Sequence, residues 1–394
     1  MALHSLPANY GSSFSSQCNS QDLAIPSCCK RVIHFVTPNI GKLRFLKISR
    51  SINENSSSQI GWLRSRRGFI KRSCLSRSND IDIDLEYEYD YEYEEEVESV
   101  HWVDRYLPEN IRRFAYLARV KWPMGSILVS FPCMWSIAMA ADRGFLPDIK
   151  MMIMFGLWAV TTRGAGCTIN DFFDRDFDKQ VERTKYRPIA CGMVTPVEAL
   201  WFFGFQMLLS LGILRQMNYL SFILGVIHVP LIVIYPLMKR WTYWPQAFLG
   251  VMFSWGALLG WGATKGSLDL TIVLPLYISS IFWTLVMDTI YAHQDIYDDV
   301  YAGVKSTAIL FGDSTKKWIT GFAIACIGSF ALTGYLGNIG WSYYASLAVA
   351  TCHLMWQIWT VDLSCPSDCN RKFGSNKWFA AIILTGMVLG RVLH

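Results

Sequence analysis

The sequence predicts an all-α, polytopic membrane protein with about nine transmembrane helices. Of its 394 residues, 52% are hydrophobic and only 17% are charged, whereas a soluble domain carries about a quarter charged residues. Apolar runs recur from about residue 120 to the end of the chain, and each is close to the roughly 20 residues that cross a bilayer. This pattern excludes a soluble protein with one large core.

Residues 1–79 are rich in Ser, Asn and basic residues, with Asp22 and Glu54 as the only acidic side chains. A Ser-rich, Arg-rich and acid-poor segment is typical of a mitochondrial or plastid transit peptide. The alternative is a basic tail that stays attached. The sequence predicts neither a cleavage point nor a secretory signal.

The charge changes sign over residues 80–100, where acidic residues alternate with Tyr or Ile. Alternation is a strand pattern, but this density of acidic residues favours a disordered spacer. Residues 101–121 then combine aromatic and basic side chains, which predicts an amphipathic helix on the membrane surface. We therefore expect residues 101–394 to form one transmembrane domain.

Nine apolar ranges are candidate spans, with ends placed only to within several residues. They are 122–141, 150–170, 195–214, 217–237, 244–263, 270–290, 317–336, 341–360 and 377–393. Eighteen Lys and Arg residues flank the spans on one side of the membrane and five on the other. Because positive residues accumulate on the cytoplasmic side, the first side faces the cytoplasm or, in a mitochondrion, the matrix.

A cluster of acidic residues follows the second span. Asp171, Asp174 and Asp178 are spaced to share one face of a helix, and Asn170 precedes them. Three carboxylates on one face repel each other unless cations neutralise them, and Mg²⁺ prefers such oxygen ligands together with phosphates. The cluster predicts a Mg²⁺–diphosphate site at the end of a membrane bundle. The alternative is a solvated acidic loop.

A second acidic cluster follows the sixth span, and its position strengthens the first hypothesis. Asp295 and Asp299 stand at i and i+4, on one face if the segment is helical. Both clusters follow even-numbered spans and therefore lie on the same side of the membrane. Two Mg²⁺ ions held there, with cations such as Lys239, Arg187 and Lys305, would neutralise a departing diphosphate.

Three motifs resemble the signatures of the UbiA superfamily of intramembrane aromatic prenyltransferases, over about residues 105–394. The first family signature is matched by Asn170-Asp171-x-x-Asp174-x-x-x-Asp178, with Arg183 and Arg187-Pro188 behind it. The second is matched by Asp295-x-x-x-Asp299, and the third by Tyr235-x-x-x-Lys239. The stretch 288–313 resembles the 4-hydroxybenzoate polyprenyltransferase branch, which serves ubiquinone synthesis. None of the three motifs departs from the family pattern.

The resemblance implies helices around a central cavity and Mg²⁺-dependent prenyl transfer to the carbon ortho to the hydroxyl of 4-hydroxybenzoate. It implies metal binding by six residues, namely Asn170, Asp171, Asp174, Asp178, Asp295 and Asp299. We expect Asp171, Asp174, Asp295 and Asp299 to be catalytic in this sense, and substrate contacts from Asn170, Arg183, Arg187, Tyr235, Lys239, Arg240 and Lys305. The partners are then a prenyl diphosphate, an aromatic acid and the lipid bilayer, with no nucleic acid.

Several roles stay open. Arg240 is our candidate for the benzoate carboxylate, because Arg binds carboxylates bidentately; otherwise it is one more positive charge on this side of the membrane. Lys305 binds phosphate or only flanks the seventh span. Asp176 and Asp298 lie off the motif spacing and fit solvated or supporting positions. A carboxylate such as Asp174 would accept the ring proton, and the sequence does not choose among them.

Two other functions compete with this interpretation. A plant 4-hydroxybenzoate geranyltransferase of a pigment pathway would share every motif, and would lie in the endoplasmic reticulum instead of the inner mitochondrial membrane. A transporter would also hold intramembrane carboxylates. Transporter sites, however, usually lie near the middle of the membrane, whereas these two clusters lie at the ends of their spans. Prenyl chain length and oligomeric state cannot be predicted from the sequence.

Overall fold

The computed structural model describes residues 72–78, 81–87, 102–181 and 184–393. The chain divides between Glu98 and Ser99. Before this point lies an antiparallel hairpin of β1 (Arg72–Ser78) and β2 (Ile81–Tyr87). Strand β2 lies within the predicted spacer, where acidic residues alternate with Ile and Tyr, and alternation is the pattern of a strand. Most of the predicted transit peptide lies outside the described residues.

Two short helices precede the first span, where the sequence predicted one amphipathic helix. They are α1 (Trp102–Tyr106) and α2 (Glu109–Leu117). Pro108 separates them because proline lacks a backbone N–H and keeps the residue before it out of the helical region. Leu117 is buried on one face of the pair, while Ile111 is exposed on the other. The two faces fit a segment that lies along a membrane surface.

Helices cover all nine predicted ranges. They are α3 (Met124–Ala140), α4 (Ile149–Asp178), α5 (Pro196–Met217), α6 (Tyr219–Trp241), α7 (Pro245–Phe253) with α8 (Gly256–Lys265), α9 (Leu270–Ala292), α12 (Thr315–Leu336), α13 (Trp341–Thr360) and α14 (Pro366–Val392). Two short helices, α10 (Ile296–Ala302) and α11 (Thr307–Phe311), lie between α9 and α12. Within the described ranges, five segments are long and apolar enough to cross a membrane, so the number nine stays a prediction.

The fifth predicted span is two helices, because the chain turns tightly between α7 and α8. The Ala257 N–H bonds to the Ser254 carbonyl, a three-residue step that replaces the α-helical one. Trp255 lies at this turn, stacks on His228 of α6 with ring centroids 5.9 Å apart, and donates its indole N–H to the Leu224 carbonyl. These contacts attach the turn to α6.

The core lies where α3 meets α8, α9, α12 and α14. Trp135 of α3 is fully buried, 5.1 Å from the ring of Trp283 and 5.2 Å from that of Phe330. Its indole N–H donates to the Ala380 carbonyl, which satisfies the one polar atom of a buried tryptophan. On the α8 side, a Cβ at Gly260 would lie 2.6 Å from the Cys133 carbonyl oxygen. Glycine therefore sets how closely α3 and α8 pack.

Candidate active site

The first acidic cluster lies on the last two turns of α4, which continues beyond the predicted span to Asp178. The prediction that these residues share one face of a helix is confirmed, since Asp171, Asp174 and Asp178 are all buried, with 1%, 7% and 5% exposure. The side chain of Asp176 is 70% exposed and points away from them, as its position off the motif suggested. The helix therefore collects three carboxylates on its buried face.

Arg119 neutralises the first of these carboxylates. One guanidinium nitrogen donates to both Asp171 oxygens, at 2.9 and 2.8 Å. Arg119 follows helix α2 and has a left-handed backbone, with φ of +57°, a conformation that costs a side-chain-bearing residue free energy. The surface segment before the first span thus reaches the centre of the acidic cluster.

Arg187 joins the first and third carboxylates. Its Nη1 lies 2.9 and 3.0 Å from the two Asp178 oxygens and 3.3 Å from Asp171 Oδ1. Burial raises the pKa of the Asp178 carboxyl, with the Arg187 guanidinium acting in the opposite direction. The loop after α4 therefore folds back so that its arginine bridges two carboxylates of that helix.

Lys239, near the end of α6, neutralises the middle carboxylate. Its ammonium nitrogen lies 2.9 Å from Asp174 Oδ2 and 3.2 Å from Asn170 Oδ1. The ring of Tyr235, one turn earlier in α6, has its centroid 5.9 Å from the same nitrogen. The first and third predicted motifs thus meet, with one cation held between two side-chain oxygens of α4.

The second acidic cluster does not form the continuous helix that its spacing predicted. Helix α9 ends at Ala292, a 3₁₀ turn covers His293–Asp295, and α10 begins at Ile296. The His293 ring Nδ1 donates to the Thr289 carbonyl at 2.9 Å, which is the acceptor that the His293 backbone N–H would use in an α-helix. That N–H bonds instead to the Ile290 carbonyl, and the helix tightens.

A backbone hydrogen bond attaches the second cluster to α6. The Val304 N–H donates to the Asp299 carbonyl at 2.8 Å, and the Lys305 N–H donates to the Lys239 carbonyl at 2.9 Å. The loop that follows α10, the helix that carries Asp299, is therefore bonded to the residue whose side chain contacts Asp174. The segment after the second cluster is thus attached to the end of α6, the helix end whose Lys239 side chain contacts the first cluster.

Three predicted site residues lie at the edge of this arrangement or outside it. Arg240 is exposed, donates to the Phe173 carbonyl at 2.6 Å and covers the Phe177 ring. The Lys305 ammonium lies 3.5 Å from the Trp241 carbonyl oxygen. Arg183 lies outside the described residues. None of these positions tests the roles predicted for them.

The oxygen ligands suit a metal that completes its coordination with other groups. Among residues 102–181 and 184–393, no three His, Cys, Asp or Glu side chains come together closely enough to hold a metal ion. Asn170 and Asp174 nevertheless converge on one cation, the Lys239 ammonium. A Mg²⁺ site of one or two carboxylates completed by phosphate oxygens and water fits this arrangement.

Sequence reasoning missed Arg119 as a site residue and counted it only as a flanking positive charge. It stands 52 positions from Asp171, and nothing in its local sequence predicts the contact.

Known proteins share sequence and fold with this chain. The UbiA prenyltransferase family matches residues 129–383. The chain is 60% identical over 291 residues to 4-hydroxybenzoate geranyltransferase 2 of Lithospermum erythrorhizon, covering 74% of this chain and 94% of that protein. It is 59% identical over 295 residues to the mitochondrial 4-hydroxybenzoate polyprenyltransferase of Arabidopsis thaliana, covering 75% and 72%.

The fold has solved counterparts. A UbiA homologue from Archaeoglobus fulgidus bound to GPP and Mg²⁺ superposes with a TM-score of 0.51 at 16% identity, over 70% of this chain and 99% of that one. The family match and the two relatives show that the chain belongs to the UbiA prenyltransferase family.

Proposed function

We propose that this protein is a 4-hydroxybenzoate polyprenyltransferase that transfers a prenyl group from a polyprenyl diphosphate to the ring carbon ortho to the phenol hydroxyl, a step of ubiquinone synthesis. Two relatives that are 60% and 59% identical over 291 and 295 aligned residues are named for this acceptor. The mitochondrial name of the Arabidopsis relative supports a mitochondrial membrane, and we propose the inner membrane with the site facing the matrix. The positive charge on the cluster side supports this orientation.

One observation carries the proposal, which is the pairing of buried carboxylates with cations at the ends of two helices. Asp174 holds Lys239 at 2.9 Å, and Asp171 holds Arg119 at 2.8 Å. An arriving diphosphate would compete for these cations, while Mg²⁺ would compete for the carboxylates. The site therefore has matched groups for both parts of a Mg²⁺–diphosphate.

The reaction separates charge, and in this proposal the site residues would stabilise the charges that form. The bond between prenyl C1 and the diphosphate oxygen breaks, and its electron pair leaves with the diphosphate. The ortho ring carbon forms a bond to C1, and a site carboxylate accepts the proton lost from that carbon. Lys239 and Arg187 would stabilise the departing negative charge.

Bound Mg²⁺ would add positive charge at the same oxygens. Asn170, Asp171, Asp174 and Asp178 would hold one ion in this proposal, and Asp295 and Asp299 would hold a second, directly or through water. The A. fulgidus homologue with GPP and Mg²⁺ supports the expectation of a metal for the family, and the residue assignments are ours.

A geranyltransferase is the second candidate, because the Lithospermum relative is as similar as the Arabidopsis one. The two functions differ only in the donor chain. They are separated by an assay on membranes that contain the expressed chain, with 4-hydroxybenzoate, Mg²⁺ and either geranyl diphosphate or a long polyprenyl diphosphate. Product from the long donor supports the proposal, and product from geranyl diphosphate alone favours the alternative.

Matched variants make the assay specific to the site. Asp171→Asn removes a buried carboxylate of the cluster, whereas Asp176→Asn removes an exposed one on the same turns of α4. We expect the first to abolish turnover and the second to retain it, with equal amounts of inserted protein. Full activity in Asp171→Asn contradicts the proposed site. No product with any aromatic acceptor would favour the transporter.

A further inference from the structure

Helix α12 carries a groove on its outer surface, near the start of the seventh predicted span. The groove has a volume of about 430 Å³. Its lining residues stand at i, i+3, i+4, i+7 and i+8, the spacing of one helix face, and they are Ser314, Lys317, Trp318, Gly321 and Phe322. This face begins with two polar residues and continues along the helix axis with aromatic residues and a glycine.

The apolar part of the groove is bounded by two aromatic rings that neighbouring helices hold in place. Trp318 stacks on Phe311 of α11 with ring centroids 4.9 Å apart, and Phe322 stacks on Phe282 of α9 at 6.1 Å. Between the two rings, a Cβ at Gly321 would meet nothing within 4 Å. The groove is therefore preformed, because its rings are fixed and its floor is open.

Lys317 is the cation at the polar end of the groove, and its ammonium keeps its hydrogen-bonding capacity. Within residues 102–181 and 184–393, its side chain forms no hydrogen bond or ion pair. Two nearby lysines differ in this respect. The Lys316 ammonium lies 3.4 Å from the Trp359 carbonyl oxygen, and the Lys372 ammonium contacts the Thr360 hydroxyl. Lys317 is thus the exposed lysine here that can receive an anion.

This end of α12 lies at a membrane surface. Lys316 contacts the carbonyl of Trp359, one residue before α13 ends, so α12 begins at the level where α13 stops. The distribution of Lys and Arg places these helix ends on the positive side of the membrane, where basic pockets between helices bind anionic lipids. Asp313 is the acidic residue of the 3₁₀ turn before α12, and two lysines follow it.

We propose that the α12 groove binds an anionic phospholipid of the surrounding bilayer. The lipid phosphate accepts hydrogen bonds from the Lys317 ammonium and the Ser314 hydroxyl. One acyl chain runs over Gly321, between the rings of Trp318 and Phe322, toward the middle of the membrane. The groove thus has its polar and apolar groups in the order in which a phospholipid has them. Binding does not depend on prenyl transfer, because no residue of the proposed active site lines the groove.

The first experiment measures lipid binding by the full chain, purified in detergent and freed of bound lipid. Phosphatidylglycerol or phosphatidylcholine is titrated in, and native mass spectrometry counts the lipids retained. Wild type should retain phosphatidylglycerol more tightly, because the choline cation of the other lipid competes with the lysine for the phosphate.

Variants at Lys317 test the headgroup contact. Lys317→Gln should weaken phosphatidylglycerol binding about fivefold, the effect of one lysine near an anionic membrane surface, and Lys317→Arg should preserve it. Lys179→Gln is the matched control and should bind as wild type does, because that exposed lysine already pairs with Asp176 at 3.5 Å.

A pair of glycine variants tests the acyl-chain contact. Gly321→Leu fills the groove, whereas Gly328→Leu places the same side chain two turns further along α12, where a Cβ also meets open space. Both variants should fold, because neither added side chain meets a neighbour. Phosphatidylglycerol should raise the melting temperature of wild type and of Gly328→Leu, and Gly321→Leu should lose this rise together with the retained lipid.

Four results would overturn the inference. Equal retention of both lipids by wild type would remove the role of Lys317. Equal lipid binding by Gly321→Leu and Gly328→Leu would place the lipid outside the groove. A rise in melting temperature with inorganic phosphate as large as that with phosphatidylglycerol would indicate an ion site without an acyl chain. A Gly321→Leu protein that keeps its lipid but has a higher KM for the prenyl diphosphate, or a changed oligomeric mass, would assign the groove to the donor chain or to a second copy.

Discussion

Arg119 supports a prediction that separates an ion pair from the backbone that presents it. Its guanidinium donates to both oxygens of Asp171, a carboxylate with 1% exposure. Hydrogen bonds to charged groups contribute about 1.5–3 kcal/mol. The Arg119 side chain is 26% exposed, and Arg187 remains 3.3 Å from Asp171. We therefore expect Arg119→Ala to lower the free energy of unfolding by about 2 kcal/mol.

Arg119→Gly removes the same ion pair but also relieves the left-handed backbone at this position. A left-handed conformation costs a residue with a Cβ about 1–2 kcal/mol, and glycine loses part of that gain through its greater freedom in the unfolded chain. The free energy of unfolding of the Gly variant should therefore be about 1 kcal/mol higher than that of the Ala variant. Wild type should be the most stable of the three.

The assay is reversible unfolding in mixed micelles, with Arg113→Ala as the control. Arg113 pairs with Glu198 at 2.8 Å, but both side chains are about one-third exposed, and such a pair contributes about 0–1 kcal/mol. Equal stability of Arg119→Gly and Arg119→Ala would refute the backbone argument. A loss in Arg119→Ala no larger than in Arg113→Ala would refute the ion-pair argument.

Three further predictions follow. Gly260→Ala should destabilise the protein by about 1–3 kcal/mol, the range for overpacking, whereas Gly212→Ala, which meets open space, should not; equal melting temperatures would contradict the packing of α3 on α8. Lys239→Met should lower kcat about 10²–10³-fold while the exposed Lys179→Met leaves it unchanged, and similar rates would exclude Lys239 from the diphosphate site. EDTA should abolish product formation and added Mg²⁺ should restore it; product formed throughout chelation would argue against the metal.

Local pattern was sufficient to predict where the long apolar helices lie and that α4 has an acidic face. The spacing of Asp171, Asp174 and Asp178 places them on one side of any helix, and burial of all three follows from that geometry. The membrane-spanning ranges could be predicted as directly, because crossing a bilayer requires about 20 consecutive apolar residues.

Contacts between distant segments could not be predicted in this way. Nothing near Arg119 in the sequence indicates that it bonds to Asp171, because the pairing depends on how α2 approaches α4. The 3₁₀ turn at His293 was missed for a different reason. There a side chain takes the carbonyl of Thr289 that the helix would have used, and propensity alone does not predict such competition.

The hydrogen bond from Lys305 N–H to the Lys239 carbonyl has a consequence for how the protein is made. A chain emerging from a ribosome completes α6 before α9 and α10 exist, so the first acidic cluster is synthesised well before the loop that joins it. Until that loop arrives, the Lys239 carbonyl lacks the partner it has in the finished protein. A chain that ends after α6 would carry the first acidic cluster without this contact, and we expect ligand-dependent protection from proteolysis only in chains that extend past residue 305.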